Sequence, residues 1–355
     1  METGPLRDMD VLGGDGAVCG RLGRYLARDG STGARVALDF DRPHAGVVVG
    51  KRGSGKSHTL GVLAEGLAEA PGVAPVVVDP MGAFGGLRAG GLDAVTPRVR
   101  ADALDPRAWC VLLDLDPASH AGTLVWRAAA AESTLDGMRS WVAESSASAA
   151  AKRGAGNHLA LAASWGCFRP DAPSAGALVD GGGAVLDCTQ YRGAALQAVV
   201  AAVASGLYDL AATGDRRTPL PWLLVDEAHA AAAGAAREAV DTLYTRGRAP
   251  GASVVLATQR PSALPETAVS QSDLVVAHRL TSERDVDALA SVQPTYLAGS
   301  LADRLPRGTG DALVVDDATE TVCTVRVRER RTEHGGESAR ATSVATGLEA
   351  GGRAE

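Results

Sequence analysis

Eight consecutive residues, Gly50-Lys51-Arg52-Gly53-Ser54-Gly55-Lys56-Ser57, match the pattern G-x-x-x-x-G-K-[ST] at every fixed position. The chemistry such a stretch can do is to hold a nucleoside triphosphate. Gly53 and Gly55 let the backbone curl until successive N–H groups point inward at an anion. A helix beginning near Lys56 would add its positive N-terminal end. Lys56 can reach the β- and γ-phosphates, and the Ser57 hydroxyl can ligate Mg²⁺. The expected ATP-contacting set is Gly50, Lys51, Arg52, Gly53, Ser54, Gly55, Lys56, Ser57 and His58, with Lys51 and Arg52 at variable positions of the pattern and read as solvated.

Two further sets complete such a site. Asp226 and Glu227 follow the apolar run Trp222-Leu223-Leu224-Val225. At the end of a strand, Asp226 would hold the Mg²⁺ through water and Glu227 would polarise the attacking water. The tetrad Asp226-Glu227-Ala228-His229 also occurs in DEAH-type helicases. Those carry a second domain with a Q-R-x-G-R-x-G-R element, of which "YTRGRAPG" at 244–251 is a faint counterpart, and after the acidic pair there is room for one domain only. His229 therefore reads as a polar residue on the following helix. The third set is Thr258-Gln259, which ends the run "GASVVLATQ". An amide at a strand tip beside the acidic strand can sense a γ-phosphate and pass its presence to the next loop.

The elements that must position these groups alternate along the chain. Short β-branched runs are expected as strands at Gly46–Val49, Ala74–Asp79, Cys110–Leu115, Gly183–Cys188, Trp222–Asp226, Ser253–Thr258 and Asp273–His278. Their near-continuous apolar character means burial on both faces, the mark of a mostly parallel sheet flanked by helices. Leu60, Leu63 and Leu67 share one helical face after the glycine turn, as do Leu196, Val199, Val203, Leu207 and Leu210 after "DCTQYRG". The region 96–182 fits the alternation poorly and reads as a helical insertion. "GDALVVDD" and "TVCTVRVRER" read as a C-terminal β-hairpin. The first 30 residues are glycine-rich and read as weakly ordered; the polar stretch after Arg331 reads as disordered. The expected organisation is an N-terminal segment 1–34, an ATPase domain 35–330 and a tail 331–355.

Composition narrows the classes. The chain has 355 residues, 46 % of them apolar, enough for one large α/β domain. Net charge is −7, so there is no whole-chain basic footprint for nucleic acid. The five cysteines are scattered with no C-x-x-C pair, which argues against a metal site or a disulfide framework. No unbroken apolar run reaches the ~18 residues needed to span a bilayer, and the N-terminus does not read as a signal peptide. The expectation is a cytoplasmic protein with no membrane partner.

Four motifs in order resemble the HerA–FtsK family of DNA-pumping ATPases, nearest its HerA branch. "GKRGSGKSHT" is similar to that branch's phosphate loop. "VVDPMGAF" resembles its D-P-x-G-E-[YF] signature, with Ala83 in place of the acidic residue. "ATQRPS", followed by "SQSD" and "HRL", resembles its third element, and "LPRGTGDALVVD" with "TVRVRER" its C-terminal hairpin. The resemblance covers roughly 35–330. It implies a RecA-like core, hexameric rings with sites shared between subunits, duplex DNA threaded through the centre, a nuclease partner, and a place in DNA processing or repair. It also implies that Gln259 is the polar sensor and that an arginine from a neighbouring subunit completes the site. Arg248 is the first choice, with Arg246, Arg260, Arg279 and Arg42 as alternatives. HerA proteins generally begin with a small β-barrel; the 45 or so residues before the loop are too few for it, so this chain is expected to lack it. A slow nucleotide-binding switch, or a motor that moves protein, are the rival readings.

Overall fold

Runs of valine, leucine and alanine build one sheet, which has twelve strands among the described residues. The structure, a computed structural model, describes residues 9–215, 217–290 and 300–335. In chain order the strands are β1 (Met9–Leu12), β2 (Cys19–Leu26), β3 (Thr32–Asp39), β4 (Ala45–Val49), β5 (Val73–Asp79), β6 (Asp93–Val95), β7 (Ala184–Asp187), β8 (Leu220–Val225), β9 (Ser253–Thr258), β10 (Leu274–Ala277), β11 (Asp311–Asp316) and β12 (Thr321–Val327). The helices are α1 (Lys56–Glu69), α2 (Ala108–Leu112), α3 (His120–Ala131), α4 (Leu135–Glu144), α5 (Ala149–Ser164), α6 (Ala175–Asp180), α7 (Gly193–Thr213), α8 (Ala228–Ala231), α9 (Arg237–Arg246), α10 (Glu266–Ser270) and α11 (Glu283–Ala290).

Across the sheet the order is β1-β3-β2-β12-β11-β10-β4-β9-β8-β5-β7-β6. The strands from β10 to β6 are all parallel; β11, β12 and β2 run antiparallel to their neighbours, and β1 is parallel to β3. β5 and β9 are buried along their whole length, as strands covered on both faces must be. Pro75 and Pro221 are tolerated inside central strands because each sits where one neighbouring strand has not yet begun to pair.

One core lies on each face. α2 to α9 pack on one side, and α1 packs on the other with Leu22, Val36 and Leu38 of the N-terminal strands. α7 is long and apolar enough to cross a membrane by length and composition, but it is a core helix here, with Ala198, Val199 and Val200 fully buried. Between β6 and β7 the chain is helical because serine and threonine start the helices. Ser119, Thr134 and Ser148 each accept a backbone N–H of the first turn of α3, α4 and α5, at 3.0, 3.0 and 3.3 Å.

Three expectations are corrected. Cys110–Leu115 is not a strand. Its first residues lie in α2, whose own Trp109 is fully buried with its indole N–H on the Ala101 carbonyl at 3.3 Å. A short apolar run has no periodicity that separates a buried strand from a buried helical turn. The first 30 residues are not weakly ordered from Met9 onward, since β1 and β2 extend the sheet. The stretch after Arg331 is packed as far as Gly335; residues 336–355 lie outside the described residues.

What holds that last stretch is a buried carboxylate. Glu65, 3 % exposed on α1, accepts from the Thr332 N–H (2.9 Å) and hydroxyl (2.7 Å), the Arg331 N–H (2.9 Å) and the Arg328 guanidinium (2.6 Å). Burial alone would push its carboxyl up, but the Thr332 and Arg328 hydrogen bonds and the Arg328 charge together hold it below the usual range. A depressed folded pKa gives stability that is present above about pH 4.3 and is lost as pH falls through the lower folded value. Glu65→Ala also leaves the buried Arg330 guanidinium without its nearby counter-charge. Denaturant unfolding should show a loss of about 3–5 kcal/mol at neutral pH, and the acid-dependent component should vanish in the variant. An unfolding midpoint unmoved at pH 7 would refute this account of the clamp.

Candidate nucleotide-binding site

In an open parallel sheet, ligands bind in the crevice beyond the carboxyl ends of the strands. Three strand tips converge there. β4 leads into the glycine loop, β9 lies beside it and ends in Thr258-Gln259, and β8 lies beside β9 and ends at Asp226-Glu227. The amide strand thus stands between the loop strand and the acidic strand.

The loop is closed on itself. The Lys51 carbonyl accepts from the Ser54 N–H (3.2 Å), the Ser54 hydroxyl (2.8 Å) and the Lys56 ammonium (3.0 Å). The Lys51 N–H donates to the Arg279 carbonyl at 2.8 Å, pinning the loop to the tip of β10. Gly53 has φ 74° and Gly55 φ 122°, conformations that side chains rarely adopt. A Cβ at Gly55 would also stand 3.1 Å from the His278 ring. The N–H groups of the first helical turn have no partner within the helix, α1 has no side-chain cap, and no acidic residue lies in its first turn. That leaves a concave set of donors suited to an anion. Lys56 is 6 % exposed, and burial pushes its ammonium pKa down against the opposing charges of Glu227 and Asp226.

Across the cleft the Ser57 hydroxyl donates to Asp226 at 2.8 Å. Asp226 is 1 % exposed, and burial raises its pKa to about 6 despite the Ser57 hydrogen bond and the Glu227 N–H. A buried carboxylate beside a hydroxyl is a hard-oxygen donor pair, the kind that suits Mg²⁺, and a divalent cation would offset the cost of that burial. Glu227 has φ 48° and ψ 42°, a strained conformation for a non-glycine residue that costs about 1–2 kcal/mol. Its carboxylate accepts from the Gln259 amide at 3.3 Å and lies 3.3 Å from His229 Nδ1, which is also 3.3 Å from the Thr258 hydroxyl. His229 is therefore part of the acidic cluster rather than a bystander on a helix.

The cleft measures about 660 Å³ and is lined by the loop, Asp226, Glu227 and a wall that the sequence did not reveal. Arg52 lines it; Lys51 does not, its carbonyl instead holding the Lys56 ammonium. His58 lies on the wall with one ring nitrogen 2.8 Å from the Arg328 carbonyl. Thr309, Gly310, Arg326, Glu329, His334 and Gly335 are part of the same wall, and the Gly310 N–H donates to the Ser54 carbonyl at 3.0 Å. Behind the loop, the fully buried His278 joins α1 to β11. Its ring nitrogens are 2.8 Å from the Thr59 hydroxyl and 2.8 Å from the Asp311 carbonyl, and burial lowers its pKa to about 4, so it is neutral.

The five arginines divide by position. Arg260 and Arg279 follow β9 and β10 on the cleft side. Arg42, Arg246 and Arg248 lie where β4 and β9 begin, at the other end of strands about 20 Å long. Arg248 is exposed and is not brought to the cleft of its own chain.

Among curated proteins, none matches by sequence. Two of the solved structures that share the fold illustrate it. VirB4 of Thermoanaerobacter pseudethanolicus superposes with a TM-score of 0.66 at 15 % identity, over 90 % of this chain and 98 % of that one. The bacterial conjugative coupling protein TrwB superposes with a TM-score of 0.57 at 16 % identity, over 89 % of this chain and 90 % of that one. Residues 21–149, which hold the phosphate loop and the "VVDPMGAF" element, match the family model described as helicase HerA, central domain. The loop, the sheet and this match make the chain similar to the HerA central domain over residues 21–149, on a RecA-like P-loop fold that it shares with VirB4 and TrwB.

Proposed function

We propose that the chain is an Mg²⁺-dependent ATPase motor that moves duplex DNA and works as a ring. The observation that carries this reading is the line Ser57–Asp226–Glu227–Gln259 across one cleft. Gly50 to His58 and the ammonium of Lys56 would hold the triphosphate. Ser57 and Asp226 would hold the metal, which when bound neutralises charge on the phosphates. Glu227 accepts a proton from the water it orients, and a pure nucleotide binder has no need of that carboxylate. Gln259 touches Glu227 and leads into the loop where Ser262 donates to Asp285 of α11 at 2.9 Å, a route from the strand tip to a neighbouring helix.

A ring built head to tail joins two different patches of each subunit. The trans arginine would then come from a surface other than the cleft's own rim. That favours Arg248, Arg246 and Arg42 at the opposite sheet end over Arg260 and Arg279. Such an arginine is worth ~10³–10⁵ in turnover, so the isolated chain would be nearly inactive. A link to DNA processing or repair and to a nuclease partner is part of the same proposal.

The test is ATP turnover per subunit against protein concentration, with and without linear duplex DNA, in Mg²⁺ and high potassium. Turnover that rises with both concentration and DNA is expected. A flat, slow, DNA-indifferent rate would instead identify a nucleotide-binding switch.

A further inference from the structure

The N-terminal strands extend the sheet past its helices, and one face of that extension carries arginine. Leu22, Val36 and Leu38 point toward α1. The opposite face is open at Arg21, Arg35 and Arg326 and partly open at Arg24. Register sets Arg35 opposite Arg24 across β3 and β2, and Arg24 opposite Arg326 across β2 and β12. Residues in register share a face, so three guanidinium groups stand abreast on strands about 5 Å apart. Partial desolvation, and after it the charges of Arg35, Arg24 and Arg328, push the Arg21 pKa down.

Like charges directly opposite on neighbouring strands disfavour the sheet. The chain's net charge is −7, so whole-chain basicity does not account for the row. Asp311 pairs with one member of the row, Arg326, at 2.7 Å; of the other nearby carboxylates, Asp29 bonds Ser31 at 2.6 Å and Asp15 pairs with Arg42 at 3.3 Å. Among the described residues, no carboxylate forms an ion pair with Arg21, Arg24 or Arg35. Arg24 donates to the Gly33 carbonyl at 3.1 Å.

We propose that the row Arg35–Arg24–Arg326, with Arg21 beside it, is a track for the phosphate backbone of duplex nucleic acid. The inference rests on the motor reading and names the surface that reading needs. Guanidinium forks match phosphate oxygens and hold them without regard to base sequence. Arg326 also lines the nucleotide cleft, so the track begins at the wall that closes on the nucleotide.

The test is binding of a fluorescently labelled linear duplex to the full chain across a salt series. Arg24→Gln with Arg35→Gln should weaken binding on the order of tenfold, and the slope of log affinity against log salt should flatten by about 1.8 for two lost contacts. DNA-independent ATP turnover should be unchanged, since neither residue touches the cleft. Arg24→Lys with Arg35→Lys keeps the charges and should keep most of the slope; loss equal to that of the glutamine pair would make the row structural and overturn the proposal. Wild-type-like affinity and slope in the glutamine pair would overturn it and leave the motor reading standing. A change of oligomeric state without loss of DNA affinity would assign the row to a contact between copies and also overturn it. A wild type that neither binds duplex nor is stimulated by it would refute the motor reading itself.

Discussion

Lys56→Ala is expected to reduce ATP turnover by about 10²–10³-fold and to weaken nucleotide binding with it. The ammonium is buried in the loop and held by the Lys51 carbonyl at 3.0 Å, so it is already aimed into the ring of N–H groups. A preorganised charge in a site with little water costs no rearrangement when the phosphates arrive, and removing one such donor typically costs two to three orders of magnitude. The burial that pushes the Lys56 pKa down has a further consequence. With no anion present the ammonium is poorly solvated, so phosphate relieves it and the truncated loop has nothing equivalent to offer. Steady-state turnover and titration with a fluorescent ATP analogue would both report the change. Turnover at the wild-type level would sink the assignment of the loop.

How far the site was legible depends on how local each part is. Gly50 to His58 are contiguous, and their pattern specifies its own geometry. The strands β4, β5, β8 and β9 were legible because burial on both faces leaves an unbroken apolar run. β1 and β2 were not. β2 mixes glycine and arginine with few apolar side chains and is held by a partner far along the chain, as in the pairing of Arg24 with Arg326, while β1 is only the four residues Met9–Leu12 and becomes a strand by pairing with β3. The wall from Thr309 to Gly335 was missed for the same reason. One sign of it was available: Glu65 sits in the apolar run Leu60 to Leu67 of α1, and a buried carboxylate requires a partner. The cluster Arg328, Arg330, Arg331 was that partner. His229 does lie on the helix after the acidic pair, and only the fold shows that α8 turns its side chain back beside Glu227.

Glu227→Gln is expected to keep ATP binding within a few-fold of wild type and to lower turnover by about 10²–10⁴-fold, the usual worth of a positioned general base. The two side chains have the same shape, so the strained backbone at φ 48° and the N–H donated to Asp226 at 2.9 Å should survive. What is lost is the carboxylate oxygen that accepts a proton and faces Gln259. An amide in its place can still meet Gln259 by donating to the Gln259 carbonyl oxygen, so the cleft should stay closed around bound nucleotide. Any assembly that forms with ATP should then persist instead of decaying as the nucleotide is consumed. Turnover and sedimentation in the presence of ATP would measure the two effects separately. Slow turnover with a trapped oligomer would place Glu227 at the chemical step and tie assembly to the triphosphate. Slow turnover with no change in assembly would keep Glu227 as the base and detach assembly from the nucleotide. Hydrolysis at the wild-type rate would mean that the base lies elsewhere and that the strain at this position serves another purpose.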